Sequence, residues 1–251
     1  MYKVSSNLQI DAAGVHYRDL NARLREAVVG GAEHIELQNV CGQRYLGTDL
    51  HSPVEIQIYG TPGNDLAAFL DGPHIIVRGN AQDGCGNTMN EGELVIHGRA
   101  GDATGHSMRG GKIFIRDDVG YRVAIHMKEY KGKRPTIVIG GTAQHFLGEY
   151  MAGGVLVVLG LTLGPGAGHT ANFIGTGMHG GVMYIRGELA DYQLGREVGR
   201  VPLDEADRRL LREVVEEFSA HFNYDAERIL DHPYTKLVPL SLRPYGQLYA
   251  H

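Results

Sequence analysis

The sequence predicts an all-β core wound as a parallel β-solenoid, with helical caps at its N- and C-terminal ends. Glycine abundance, a repeat of nineteen or twenty residues and a second motif recurring between the repeats point to it. Glycine accounts for 36 of 251 residues, about twice the usual ~7%. Inside a helix each glycine costs roughly 1 kcal/mol relative to alanine, so this composition demands many turns and excludes a helical bundle. Hydrophobic residues make up 43%, too many for a disordered chain. The length suits one large domain or two small ones.

Short β-branched runs carry the repeat. They read VEIQIYG (Val54–Gly60), HIIVRG (His74–Gly79), ELVIHG (Glu93–Gly98), KIFIRD (Lys112–Asp117), TIVIGG (Thr136–Gly141), VLVVLG (Val155–Gly160) and VMYIRG (Val182–Gly187), after a weaker copy IELQNV (Ile35–Val40). Gly60, Gly79 and Gly98 are 19 residues apart, a further 19 reaches Asp117, and Gly140 to Gly160 is 20. Between the runs lie GNAQDGCGNTMNEG, GRAGDATGHSMRGG, GGTAQHFLGEYMAGG and NFIGTGMHGG. In these, Gly86, Gly105, Gly148 and Gly175 each precede a methionine by three residues.

Each run has the length of a short buried strand, and glycines bracket it where the chain must bend sharply. One strand and one bend cannot bury their own apolar face, whereas stacked copies can. The recurrent methionine is then expected to fill irregular gaps from inside. A sandwich of hairpins would show frequent Asn-Gly or Asp-Gly turns; only Asp71-Gly72 and Asp83-Gly84 fit. Ile96 and Ile115, 19 residues apart, are expected in one inward column of adjacent coils.

The flanks are helical. Tyr17–Val29 places Leu20, Leu24, Ala27 and Val28 on one face, and Gly30-Gly31 is a suitable stop. Asp204–His221 aligns Leu210, Leu211, Val214, Val215 and Phe218, with Asp204 as candidate cap. A shorter helix, Asp225–Leu230, ends before Pro233. Open solenoids need their ends covered, and both helical flanks are assigned that task. The closing TKLVPLSLRPYGQLYAH is expected to run extended along the solenoid or a partner. The domain plan is residues 1–34 as an N-terminal helical cap, 35–190 as the repeat and 191–251 as a helical and extended segment.

Lys plus Arg is 24 and Asp plus Glu 29, a net charge of −5. That balance argues against nucleic acid, which favours a basic surface. The N-terminus has no basic segment followed by an apolar one, and no signal peptide is expected. Tyr150–Ile185 carries no charged residue, but ten glycines and Pro165 interrupt it. Its apolar run Val155–Leu163 is far short of the ~20 residues a membrane span needs. A cytoplasmic protein with no membrane contact is expected.

Candidate chemistry is thin. Gly105-His106-Ser107-Met108-Arg109-Gly110 approaches the nucleophile elbow, but Arg109 stands where that elbow needs glycine, and a strand follows instead of a helix. Gly175-Thr176-Gly177-Met178-His179-Gly180 matches a dinucleotide fingerprint, yet VMYIR follows where a helix N-terminus would have to face the pyrophosphate. Cys41 and Cys85 lie 44 residues apart, and the histidines show no metal-binding spacing. No residue is assigned a catalytic, cofactor-binding or metal role. Arg109–Arg134 is locally basic and breaks the period, which reads either as a solvated loop or as a docking site for an acidic partner or anionic ligand. The second break, Leu161–Ala171, marks a candidate contact face.

The concatenated motifs GNAQDGCGNTMNEG, MRGGKIFIR, GYRVAIHMKEY, IVIGGTAQHFLGEYMAGG and GTGMHGG resemble the GXGXG domain at the C-terminus of the glutamate synthase large subunit. More closely they resemble its stand-alone version, encoded as a separate polypeptide, from roughly Ile10 to the C-terminus. The same fold family includes the corresponding β-helical chain of formylmethanofuran dehydrogenase and its formyltransferase/hydrolase relative. The resemblance implies a right-handed parallel β-helix that packs against catalytic partners and holds no cofactor of its own. The implied partners are a class II glutamine amidotransferase-like subunit and an FMN-dependent synthase subunit, the latter holding FMN and an iron–sulfur cluster.

Residues of this chain fit that division of labour. Position 2 is Tyr, so removing Met1 exposes no cysteine nucleophile, and two cysteines are too few for the three thiolates of the cluster. The implied role is a non-catalytic coupling subunit in glutamate biosynthesis and ammonia assimilation. The alternatives are the equivalent subunit of a formylmethanofuran dehydrogenase, formyltransferase/hydrolase or N-methylglutamate synthase complex, and, from another class, a hydrolase using Ser107.

Overall fold

The computed structural model describes residues 7–241. In chain order the elements are β1 (Asn7–Asp11), α1 (Tyr17–Val29), β2 (His34–Cys41), β3 (Glu55–Thr61), β4 (Asp71–Arg78), β5 (Glu91–Ile96), β6 (Lys112–Ile115), β7 (Thr136–Ile139), β8 (Ala152–Val158), β9 (Gly180–Arg186), β10 (Val198–Val201), α2 (Glu205–Phe222), α3 (Ala226–Leu230) and β11 (Tyr234–Pro239). Strands β1 to β9 lie side by side in sequence order, each parallel to the next. The protein is a parallel β-solenoid, and every β-branched run of the repeat forms one of its strands.

Alternate residues of each strand face inward. Ile58, Val77, Ile96, Ile115, Ile139, Val158 and Ile185 are successive partners across the ladder. Ile56, Ile75, Leu94, Ile113, Ile137, Leu156 and Met183 make the second inward column. All are buried, and each such side chain contributes about 1.5–3 kcal/mol by leaving water. Ile96 and Ile115 are direct partners, as the spacing predicts.

The column between them points outward and changes character along the sheet. It is polar at Glu36 and Gln57, then apolar at Ile76, Val95, Phe114, Val138, Val157 and Tyr184. Helix α2 covers the apolar part with Leu211, Val214, Val215 and Phe218. Near its start Asp207 accepts a hydrogen bond from the Tyr184 hydroxyl of β9 at 2.5 Å. Near its end His221 lies 3.4 Å from Glu93 of β5. Thus α2 crosses the strands on the flank of the solenoid, where the sequence predicts a cover for its open end. The apolar outer column supplies the reason, because it needs burial as much as the end coil does.

Strands take over at that end. β11 pairs antiparallel with β9, and β10 with β11; Leu237 and Val198 seal the inner core. At the other end α1 packs Leu20, Leu24 and Val28 against the same core, its final turn closed by the Gly30 amide on Glu26 O at 2.8 Å. Strand β1, ahead of α1, lies in a segment the sequence reads only as helical cap. Asp204 caps α2 reciprocally with Asp207, at 2.9 and 2.7 Å. The closing stretch is extended at Tyr234–Pro239, and its residues 242–251 lie outside the described part.

Candidate functional site

The motif between the strands forms a corner with an unusual backbone. From Tyr45 to Gly177, each turn presents three residues of positive φ at alternating positions, as in Ala103, Gly105 and Ser107 (φ 52°, 71° and 52°). Hydrogen bonds alternate with them. The Ala103 and Ser107 amides donate to Tyr121 O and Ile125 O of the next coil, and the Gly105 amide to Cys85 O of the previous one, at 2.7–2.8 Å. This left-handed backbone costs an L-residue roughly 1–2 kcal/mol, which the bonds to both neighbouring coils offset. At Gly105 a Cβ would also fall 2.2 Å from Ile137 Cδ1.

The sixth corner position fills the interior. Leu50, Leu70, Met89, Met108, Met127, Met151 and Met178 occupy it, all buried. Four of these methionines match the motif read from sequence. Met127 escapes it because Ala124 stands in the glycine's place, itself at φ 62°.

The first and fifth positions face outward, and in the later coils they carry aromatic rings. Phe146 stacks on Phe173 (centroids 4.8 Å apart, planes 12°), and His126 stacks on Tyr150 (5.4 Å, 9°). The Arg122 guanidinium sits 4.9 Å from the Phe146 ring, and Tyr121 meets His145 edge-on at 5.6 Å. Phe173 and Tyr150 are half exposed, at 50% and 47%. Phe146, Tyr150 and Phe173 all hold positive φ, which is exceptional for bulky residues. Gly177 makes room for the stack, since a Cβ there would lie 2.4 Å from the Tyr150 ring. A rigid, exposed group of Tyr, Phe, His and Arg has the composition of a protein-binding hot spot.

Ser107 sits on the neighbouring corner. Its Oγ is 3.4 Å from His106 Nε2, and His106 Nδ1 is 3.3 Å from Asn87 Oδ1, whose Nδ2 donates to Asp65 at 3.2 Å. The order imitates nucleophile, base and orienting group. However, every backbone amide from Gly105 to Gly110 already donates to a carbonyl, so none is free to stabilise an oxyanion. Burial, then the neighbouring His126, holds the His106 pKa below its ordinary value.

Much of the basic charge in Arg109–Arg134 is used within the chain. Lys112 binds Glu217 at 2.6 Å, Arg116 binds Asp117 at 2.9 Å, Arg122 pairs with Glu149 at 3.3 Å, and Lys133 reaches back to Glu91 at 2.5 Å. Arg109, Lys128 and Lys131 surround the Tyr130 ring. The contact-face candidate Leu161–Ala171 is a mostly exposed loop, tied down by Thr162 donating to Asp118 at 2.6 Å. Cys85 is buried and its thiol is pushed up to about 12, chiefly by that burial, so it is an inert filler. Cys41 is exposed and unbonded to it. Gly175 and Gly177 are corner glycines leading into β9. Among the described residues no three His, Cys, Asp or Glu side chains converge to hold a metal ion, and no helix is long and apolar enough to cross a membrane.

Sequence reasoning missed the aromatic corner. The signal was available as Phe146, Tyr150 and Phe173 recurring at the two outward positions of glycine-rich corners.

Fold and corner together define a class: glycine-cornered parallel β-solenoids that line their interior with methionine and present ordered side chains outside. Within that class the chain belongs to the family described as the GXGXG motif, whose pattern matches residues 29–240. It is also 48% identical over 252 residues to an uncharacterized protein of Methanocaldococcus jannaschii, covering 96% of this chain and 95% of that one.

Proposed function

We propose that this protein is the non-catalytic β-helix subunit of a glutamate-synthase-like complex, acting in the cytoplasm in glutamate biosynthesis. It would hold a class II glutamine amidotransferase-like subunit and an FMN-dependent synthase subunit in a fixed relation, so that ammonia released by one reaches the other. FMN and the iron–sulfur cluster belong to the synthase partner in this reading.

The observation that carries it is the extent of the family match. Residues 29–240 take in the solenoid and the helix on its flank, which leaves little of the chain for another activity. The exposed Tyr150–Phe173 corner supplies a surface suited to a protein partner.

Purification of the tagged chain at its native expression level tests the reading. Both partner subunits are expected to come with it, and glutamine-dependent glutamate formation with them. A chain that associates with neither, or with the subunits of a formylmethanofuran dehydrogenase instead, would overturn it.

A further inference from the structure

We propose that the hollow between β10, the first turns of α2 and the α3–β11 connection binds a small organic anion: a carboxylate or phosphate group on an apolar body. The hollow has a volume of about 700 Å³, within the range of small-molecule sites. Arg200, Arg208, Arg212, His232 and Lys236 line it, and no carboxylate does. The whole chain carries a net charge of −5, so this gathering of cations runs against its average.

The cations are held in place from behind. Asp191 and Leu189 O anchor Arg200, the latter at 2.8 Å. Glu216 and Glu227 anchor Arg212, and Asp207 anchors Lys236 at 2.6 Å. These acids all stand outside the lining. A guanidinium has five N–H donors, so anchored arginines keep donors for a guest and need little ordering when it arrives. Arg208 is the freest: its nearest acid is Glu205 at 3.9 Å, and 64% of its side chain is exposed. Its planar fork fits a carboxylate or phosphate edge. A concave wall of one charge sign concentrates counter-ions at its mouth.

The floor is apolar. Leu211 is buried, and Leu203, Leu230 and Tyr234 are half-buried there. Such a floor favours an anion with hydrocarbon attached over a bare inorganic one. This site does not depend on the proposed complex, since it lies on α2, α3 and β10–β11 and not on the aromatic corner.

Titration calorimetry of the full chain with hexanoate and with phenyl phosphate tests it and separates the two head groups. One saturating site per chain is expected for at least one of them. Arg208→Glu and His232→Glu, both at exposed positions, should each weaken that binding at least tenfold while leaving the thermal transition in place. Hexylamine should not bind. No saturable binding of either anion, unchanged affinity in both variants, or inorganic phosphate binding as tightly as phenyl phosphate would overturn the proposal.

Discussion

Asp102 of one coil occupies the space that a side chain at Gly120 of the next would need. Its Oδ1 accepts the Tyr121 amide at 2.8 Å, and a Cβ on Gly120 would lie 2.1 Å from that oxygen. The relation repeats up the solenoid: Asp83 stands against Gly101 and Asp118 against Gly141, at 2.1 and 2.4 Å. The glycine after each strand is therefore a seat for the preceding coil's carboxylate. Gly120→Ala is expected to destabilise by about 2 kcal/mol or more through overpacking against fixed backbone. Asp102→Ala should cost about 1 kcal/mol for the lost amide bond. Urea unfolding of both variants measures the difference.

The inward columns lend themselves to a sharper perturbation. Ile96 and Ile115 are fully buried neighbours. Aspartate at either position places an unpaired carboxylate among aliphatic side chains, at an expected cost of at least about 3 kcal/mol. Near-wild-type unfolding midpoints for both Ile96→Asp and Ile115→Asp would contradict the stacked core.

Acid should loosen the far end of α2. Burial, followed by the charges of Arg78, Arg116 and His221, lowers the His97 pKa from 6.5 to about 4. Its folded value lies below its unfolded one, so its contribution is present above pH 6.5 and is lost as pH falls toward 4. For Glu93, burial acts upward, but hydrogen bonds and charge from His221 and His74 outweigh it and bring the pKa from 4.5 to about 2. That contribution is present above pH 4.5 and is lost between 4.5 and 2. Stability measured from pH 8 to pH 3 should fall in these two windows, and His97→Gln should flatten the upper one.

The aromatic corner separates folding from association. Tyr150→Asn and Phe173→Asn keep a residue that tolerates positive φ and remove the exposed rings. The double variant should unfold within a few degrees of the wild type yet bind its copurifying partner at least tenfold more weakly, about 1.4 kcal/mol. Unimpaired binding measured by surface capture would exclude this corner from the interface.

With its corner amides all engaged, Ser107 should be chemically silent. Hydrolysis of p-nitrophenyl acetate by the wild-type chain is expected to equal that of Ser107→Ala and of the uncatalysed background. A rate lost on mutation would restore the hydrolase reading.

The inner geometry of the solenoid was legible because its period is local. Once Gly60, Gly79 and Gly98 set the step, Ile96 had to meet Ile115. Strand β1 was not, since NLQID buries only Ile10 and offers no β-branched run. The position of α2 depends on which strand residues face outward and on the change from Gln57 to Ile76, a difference that composition averages away. Left-handed backbone at Phe146, Tyr150 and Phe173 was hidden by ordinary preference, because the bonds that hold it come from neighbouring coils.

The flank helix also has a consequence for how this chain can change length. α2 has 18 residues, about 27 Å at helical rise, while the four strand steps from β5 to β9 span roughly 19 Å. One helix thus roofs a set number of rungs. Inserting or deleting a rung beneath it would leave greasy surface bare or drag Asp207 and His221 away from Tyr184 and Glu93. The wettable side of β2 and β3, with Glu36 and Gln57, has no such roof, so natural gain and loss of repeats should concentrate there.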